Sequence, residues 1–240
     1  MTVTVFIQAR LNSSRLPNKI IRRVNKKMIL DYLINQISFV KRIKNFYFLI
    51  PKKDKKLKEI LIKRKINFIT GPEKNVLERF YQAYKIVKPK TIIRLTADCP
   101  LIDPKIIDKL IKFYKQNNYS YVNLGESYAE GQCAEIFSPK ILNFLKKNAT
   151  SEFEKEHVTI SLRKKKNNFK IKTLEDKSDN SKLRYTLDTR EDFKVIKKII
   201  LSFKNKKYLE SNDINNFLIT NKEIRKINNH IIRNEKTRNY

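Results

Sequence analysis

The chain has 240 residues, and 54 lysines and arginines against 24 aspartates and glutamates give it a formal net charge of +30. That length suffices for one large α/β domain with a sizeable buried core, while no apolar run approaches the ~20 residues that a membrane-spanning helix requires. A strongly basic balance can mark a nucleic-acid partner, but lysine and asparagine spread over the whole chain read as a compositional bias, so neither nucleic acid nor membrane insertion is expected.

The apolar run Val3-Thr4-Val5-Phe6-Ile7 predicts a buried strand. It empties into Gln8-Ala9-Arg10-Leu11-Asn12-Ser13-Ser14-Arg15-Leu16-Pro17-Asn18-Lys19, where three spaced cations (Arg10, Arg15, Lys19) stand beside the hydroxyls of Ser13 and Ser14. A loop of this kind at the carboxyl end of a strand is suited to an oxyanion; a solvated basic loop is the alternative. Apolar residues at helical spacing follow over 28–40, a strand over 45–50, a basic helix over 54–65 and a short strand over 66–70, closed by Gly71-Pro72. Next come a helix over 76–87 with the stripe Leu77, Phe80, Ala83 and Tyr84, a strand over 91–95, and a helix over 104–117 with Pro104 in its first turn.

The second half is less regular. Strands are expected over 119–124, 133–137, 169–174 and 183–187, and helices over 139–147, 152–163 and 190–203. Residues 204–240 read as a polar, helical C-terminal appendage. Strands alternating with helices mean βαβ units with right-handed crossovers and a largely parallel sheet. With no repeat and no linker rich in Gly, Pro or Ser, a single domain over 1–240 is expected.

Two aspartates stand at strand ends. Asp98 lies in Arg94-Leu95-Thr96-Ala97-Asp98-Cys99-Pro100-Leu101-Ile102-Asp103, just after the strand at 91–95. Asp188 lies in Tyr185-Thr186-Leu187-Asp188-Thr189-Arg190-Glu191-Asp192, after the strand at 183–187. Two carboxylates near a basic loop suit Mg²⁺, which takes hard oxygen ligands and substrate phosphates. Each also has a local reading: Asp98 as a turn former before Pro100, Asp188 as the N-cap of the next helix. Asp103 and Asp192 read as helix-start acids.

Cys99 and Cys133 have no zinc-ligand spacing. No charged segment precedes an apolar core at the N-terminus, so no signal peptide is expected and the expected location is the cytoplasm. The clusters at 52–58 and 163–166 lack the interleaved aromatics of a base-stacking platform. The first loop lacks the glycines and Lys-Ser/Thr pair of a Walker A motif, and no Ser-His-Asp or Cys-His arrangement is visible.

These motifs resemble those of the cytidylyltransferases that activate acidic sugars, the group of the acylneuraminate and 3-deoxy-manno-octulosonate enzymes. The likeness is greatest to the spore coat polysaccharide biosynthesis branch. There the pattern Q-A-R-x-x-S-x-R-L-P-x-K corresponds to Gln8–Lys19, R-L-T-x-D-x-P-L-I-D to Arg94–Asp103, and L-D-T-x-E-D to Leu187–Asp192. Weaker matches are Asn75-Val76-Leu77-Glu78-Arg79-Phe80, and Glu135 with Glu156-His157-Val158-Thr159.

The resemblance implies a three-layer α/β/α, Rossmann-like nucleotide-diphospho-sugar transferase fold with a mostly parallel mixed sheet, and a homodimer. It implies that Ala9, Arg10, Ser13, Ser14, Arg15 and Lys19 hold the triphosphate of CTP, with Lys19, Arg10 and Asp98 taking part in catalysis. Asp98 and Asp188 would bind Mg²⁺, Asn75 and Arg79 would lie near the nucleotide, and Glu135 and His157 would face an acidic sugar acceptor. The implied reaction is attack by a hydroxyl of that sugar on the α-phosphorus of CTP, expelling pyrophosphate, for surface polysaccharide biosynthesis.

The chain departs from the pattern at four places. Asn12 and Asn18 stand where the family has glycine at positions of positive φ, Asn75 where aspartate is usual, and Cys133, beside Gln132, in place of an acidic residue. Competing readings are a nucleotidyltransferase of the same fold with another NTP or a non-sugar acceptor, a basic nucleic-acid-binding protein that has kept the fold, and an inactive partner subunit.

Overall fold

The computed structural model describes residues 3–233. In chain order its elements begin β1 (Val3–Gln8), the short hairpin β2 (Arg23–Val24) and β3 (Lys27–Met28), α1 (Ile29–Ser38), β4 (Asn45–Pro51), α2 (Lys55–Lys63), β5 (Phe68–Gly71) and α3 (Val76–Val87). They continue with β6 (Thr91–Thr96), α4 (Pro104–Gln116), β7 (Tyr121–Leu124), β8 (Ala134–Phe137), α5 (Pro139–Asn148) and α6 (Glu152–His157). The last are β9 (Ile171–Leu174), α7 (Arg190–Ser202), α8 (Ser211–Thr220) and α9 (Lys222–Arg225).

The main sheet has seven strands in the order β5-β4-β1-β6-β8-β7-β9. All neighbours run parallel except β8, which is antiparallel to both β6 and β7. Because a strand turns alternate side chains to opposite faces, β1 sends Val5 and Ile7 into one apolar cluster and Phe6 into another. The first cluster is roofed by α1, α2 and α4, through residues such as Leu33, Leu57 and Leu110. The second is roofed by α3 and α5, through Phe80 and Leu142. Both faces of the central strands are therefore dry, which is why their sequences are continuously apolar. The fold is the expected mixed, mostly parallel sheet between helical layers.

Two expectations are corrected. Residues 183–187 form no ladder strand: all five are buried, but the backbone makes an isolated bridge of Arg184 with Glu130, a bond from Leu183 N–H to Asn180 O at 2.9 Å and one from Leu187 N–H to Asp98 O at 2.7 Å. Leu183, Tyr185 and Leu187 join the α7–α8 cluster, while Arg184 and Thr186 line the cavity. The helix expected over 152–163 breaks at Val158, whose φ of 57° and ψ of −67° end α6 and pass the chain into a short 3₁₀ turn.

In the stretch expected to be an appendage, Leu209, Ile214, Leu218 and Ile224 are buried in the same cluster as α7. Its residues 234–240 lie outside the described part. Asn18 adopts the left-handed conformation expected of it, with φ at 58°, whereas Asn12 has no positive φ.

Candidate active site

The register sets the site. Gln8 and Thr96, the last residues of β1 and β6, are paired neighbours, so the loops that follow leave the same edge of the sheet, where open α/β folds receive ligands. The loop after β1 is pinned from beneath. Leu11 and Leu16 are buried, Leu11 N–H donates to Asp54 Oδ2 at 2.8 Å, and Asn18 N–H returns to Leu11 O at 3.0 Å. Its polar side chains are thereby left to line a cavity of about 320 Å³, which includes Ala9, Arg10, Ser13, Ser14, Arg15 and Lys19.

Lys19 opens a 3₁₀ turn and is buried. Its ammonium donates to Asp98 Oδ2 at 3.0 Å and to Asp188 Oδ1 at 2.8 Å. Burial opposes the charge, but the two aspartates outweigh it and hold the lysine above its ordinary pKa. Burial likewise opposes ionisation of Asp98, yet Lys19 and the Thr96 hydroxyl hold its carboxyl below the usual range. Arg15 Nη2 stands 3.1 Å from Asp188 Oδ2, and Arg10 Nη2 stands 3.1 Å from Glu156 Oε1 on α6.

The donor set fits a magnesium ion. Asp98 and Asp188, 90 positions apart in sequence, already converge on one cationic group, the Lys19 ammonium, and Mg²⁺ characteristically takes one or two carboxylates plus substrate phosphates. Among the described residues no cluster of three or more His, Cys, Asp or Glu forms an all-protein cage.

Arg79 lines the cavity but is committed to backbone. Nε donates to Pro72 O, Nη1 to Leu49 O and Nη2 to Glu73 O, at 2.8–3.1 Å. Burial, with Arg10 nearby, lowers its pKa to about 10. Asn75 is not on the cavity wall; it is the N-cap of α3, its Oδ1 accepting from Glu78 N–H at 2.8 Å. His157 reaches the cavity wall, with its ring centroid 4.3 Å from that of Phe153. Glu135 is not on that wall. It pairs with Arg94 Nη1 at 3.0 Å and accepts from the Thr159 hydroxyl at 2.8–2.9 Å. Arg94, also bonded through Nε to Gln8 Oε1 at 3.1 Å, is the side chain that lines the cavity there.

Several wall residues carried no assignment in the sequence reading. Arg184, buried, pairs with Glu130 and with Asp192 through two bonds of 2.8 Å. Despite burial, Asp192 and Glu130 hold its pKa above the ordinary arginine value, while burial pushes Glu130 up. Gly131, at φ +125°, keeps the loop tight against Tyr185, whose ring would lie 2.8 Å from any Cβ there. Cys99 and Cys133 both line the cavity, and Cys99 Sγ lies 3.5 Å from Thr96 Oγ1. The neighbouring Cys133 together with burial raises Cys99, whereas the neighbouring Cys99 draws Cys133 down against its burial. Of these, Glu130 and Arg184 had no local signal, whereas Asp192 stood in the sequence as a helix-start acid and Glu156 in the weak match Glu156-His157-Val158-Thr159.

Comparison with known proteins agrees with this geometry. A family described as "Cytidylyltransferase" matches residues 4–226. The spore coat polysaccharide biosynthesis protein SpsF of Bacillus subtilis is 31% identical over 210 residues, 81% of this chain and 85% of that one. A 3-deoxy-manno-octulosonate cytidylyltransferase of Hydrogenovibrio crunogenus is 29% identical over 147 residues, 58% of each chain. The solved structure of a cytidylyltransferase from Leptospira borgpetersenii superposes with a TM-score of 0.89 at 30% identity, covering 97% of this chain and 99% of that one.

Proposed function

The chain belongs to the cytidylyltransferase family, and on that premise we propose that it moves CMP from CTP to an acidic sugar of the octulosonic or nonulosonic type, releasing pyrophosphate. The observation that carries the reading is the convergence of Arg10, Arg15 and Lys19 with Asp98 and Asp188 in one cavity at the ends of β1 and β6. The name of the octulosonate-activating relative supports the acceptor class.

In such a transfer most of the acceleration comes from alignment and charge neutralisation. The cavity's cation-bearing loop grips the β- and γ-phosphates, and Lys19 and Arg15 meet the charge that grows on the departing pyrophosphate. Magnesium, held by Asp98 and Asp188, would polarise the α-phosphate and orient the attacking hydroxyl. Arg79 fixes the carbonyls of Leu49, Pro72 and Glu73, so that the nucleotide end keeps its shape. Arg94, held by Gln8 and Glu135, sets a guanidinium in the cavity wall.

The test is pyrophosphate release with Mg²⁺ and each of the four NTPs against a panel of octulosonic and nonulosonic acids. Release with CTP and one of these acids is expected. Release only with another NTP, or only with a neutral acceptor, overturns the assignment.

A further inference from the structure

The family match ends at residue 226, yet the chain beyond it returns to the cavity. Asn228, buried, donates through Nδ2 to Asp192 Oδ1 at 2.8 Å and to Arg184 O at 3.3 Å. It therefore braces the segment that carries Arg184 and Asp188. Arg233 donates through Nη1 to the carbonyls of Glu126 and Tyr128 at 2.7 and 2.8 Å, bracing the loop that carries Glu130 and Cys133. Between them Ile232, 52% exposed, is part of the cavity wall.

We propose that residues 228–233 build the acceptor wall of the site, with Ile232 touching the acceptor and Asn228 and Arg233 acting as positioning residues. The inference rests on the transferase reading above. The cations that grip phosphate come from the loop after β1, whereas Asn228 and Arg233 brace the two other segments, which bring Glu130, Cys133 and Arg184 to the same cavity as Ile232. Ile232 adds an apolar surface to a wall that is otherwise mainly polar. It favours an acceptor that turns a deoxy carbon or an acyl methyl toward it over one that presents only hydroxyls.

The experiment compares the full-length protein with Asn228→Ala, Ile232→Ser and Arg233→Met, using Ile219→Ser on the exposed side of α8 as a control. CTP binding is measured by calorimetry, backbone hydrogen exchange over 126–133 and 183–190, and KM and kcat with 3-deoxy-manno-octulosonate and N-acetylneuraminate as acceptor probes. Each positioning variant is expected to speed exchange in the loop it braces by about 2- to 10-fold, the scale of one lost hydrogen bond. Ile232→Ser, at an exposed position that folding tolerates, is expected to raise acceptor KM while CTP affinity and kcat hold. Unchanged exchange in both loops, or an acceptor KM indifferent to Ile232→Ser, overturns the proposal. Failure of the intact chain to bind CTP counts against the transferase reading instead, and the exchange measurement then decides the wall by itself.

Discussion

The ammonium of Lys19 lies 3.0 Å from Asp98 Oδ2, across 79 positions of sequence. The same ammonium holds Asp188, so one side chain counters both carboxylates that are proposed to hold the metal. Lys19→Met should leave Asp98 without its cation and Asp188 with only Arg15 and the more distant Arg184, and cost about 1–3 kcal/mol, a fall in Tm of roughly 3–10 °C for a chain of this size. Added Mg²⁺ should restore more of that loss in the variant than it adds to the wild type, because the variant offers the ion a site without a competing ammonium. Thermal melts with and without Mg²⁺ check this, and a variant indifferent to the ion would sink the metal assignment. Turnover should fall by about 100-fold or more, since a cation aimed at developing phosphate charge is lost.

Stability should fall off at both ends of the pH scale, for opposite reasons. Asp98 and Asp192 have folded pKa values below the ordinary carboxylate value. Their stabilisation is complete above that ordinary value, about 3.9, and is lost as pH falls through the lower folded values. Lys19 has a raised folded pKa. Its contribution is complete below the ordinary lysine value, about 10.4, and is lost as pH rises through the folded one. Asp192→Asn should flatten the acid limb of a plot of Tm against pH and leave the alkaline limb in place.

Glu156 and Arg10 form an ion pair that is nearly half exposed on both sides. On the proposed reading, a triphosphate takes Arg10 from that carboxylate. Glu156→Gln should therefore tighten CTP binding by about 1.5- to 5-fold, matching the ~0.2–1 kcal/mol of an exposed pair. The gain should shrink as salt is raised. Calorimetry at two ionic strengths reads this directly; weaker binding by the variant would mean that Glu156 serves the nucleotide rather than competing with it.

Val158 is fully buried with φ at 57°, and Thr159 N–H closes a three-residue turn onto His157 O at 2.7 Å. A β-branched residue is strained in this region of the map. Val158→Ala should cost about 2 kcal/mol of packing while leaving the backbone strained. Val158→Gly should be more stable than the alanine variant by about 1 kcal/mol, because glycine adopts positive φ freely. Urea unfolding of the two variants tests the order, which is the reverse of what apolar burial alone demands.

Much of the frame is legible in the sequence. The helix at 76–87 is readable to its last residue because Asn75 caps it and its apolar stripe keeps helical period. β1 and β6 are legible because a central parallel strand is apolar on both faces. At 183–187 the same reasoning misleads, since Leu183, Tyr185 and Leu187 pack into the α7–α8 cluster and Arg184 and Thr186 line the cavity, with only an isolated bridge and no neighbouring strand. The break in the helix expected over 152–163 is hidden because nothing in Val158 favours its conformation; tertiary packing imposes it. In the site, the loop from Gln8 to Lys19 and the two strand-end aspartates stand out by chemistry and position. The pairing of Glu135 with Arg94 is a matter of register between β6 and β8, and the return of residues 228–233 to the cavity is a matter of path. Neither leaves a local pattern to read.

One reversed strand shapes how this molecule can change. Because β8 runs against its neighbours, the loop that brings Glu130, Gly131 and Cys133 spans the carboxyl edge of the sheet before the chain turns back beside β6. The phosphate-side cations belong to a different loop, anchored by Leu11, Leu16 and Asp54. Leu16 and Ala129 share one apolar cluster, but the polar anchor Asp54 belongs to the first loop alone, so exchanges at the exposed tip of one loop leave the polar anchor of the other in place. The two ends of the cavity can diverge on separate evolutionary schedules, one adapting to new acceptors while the other stays fixed.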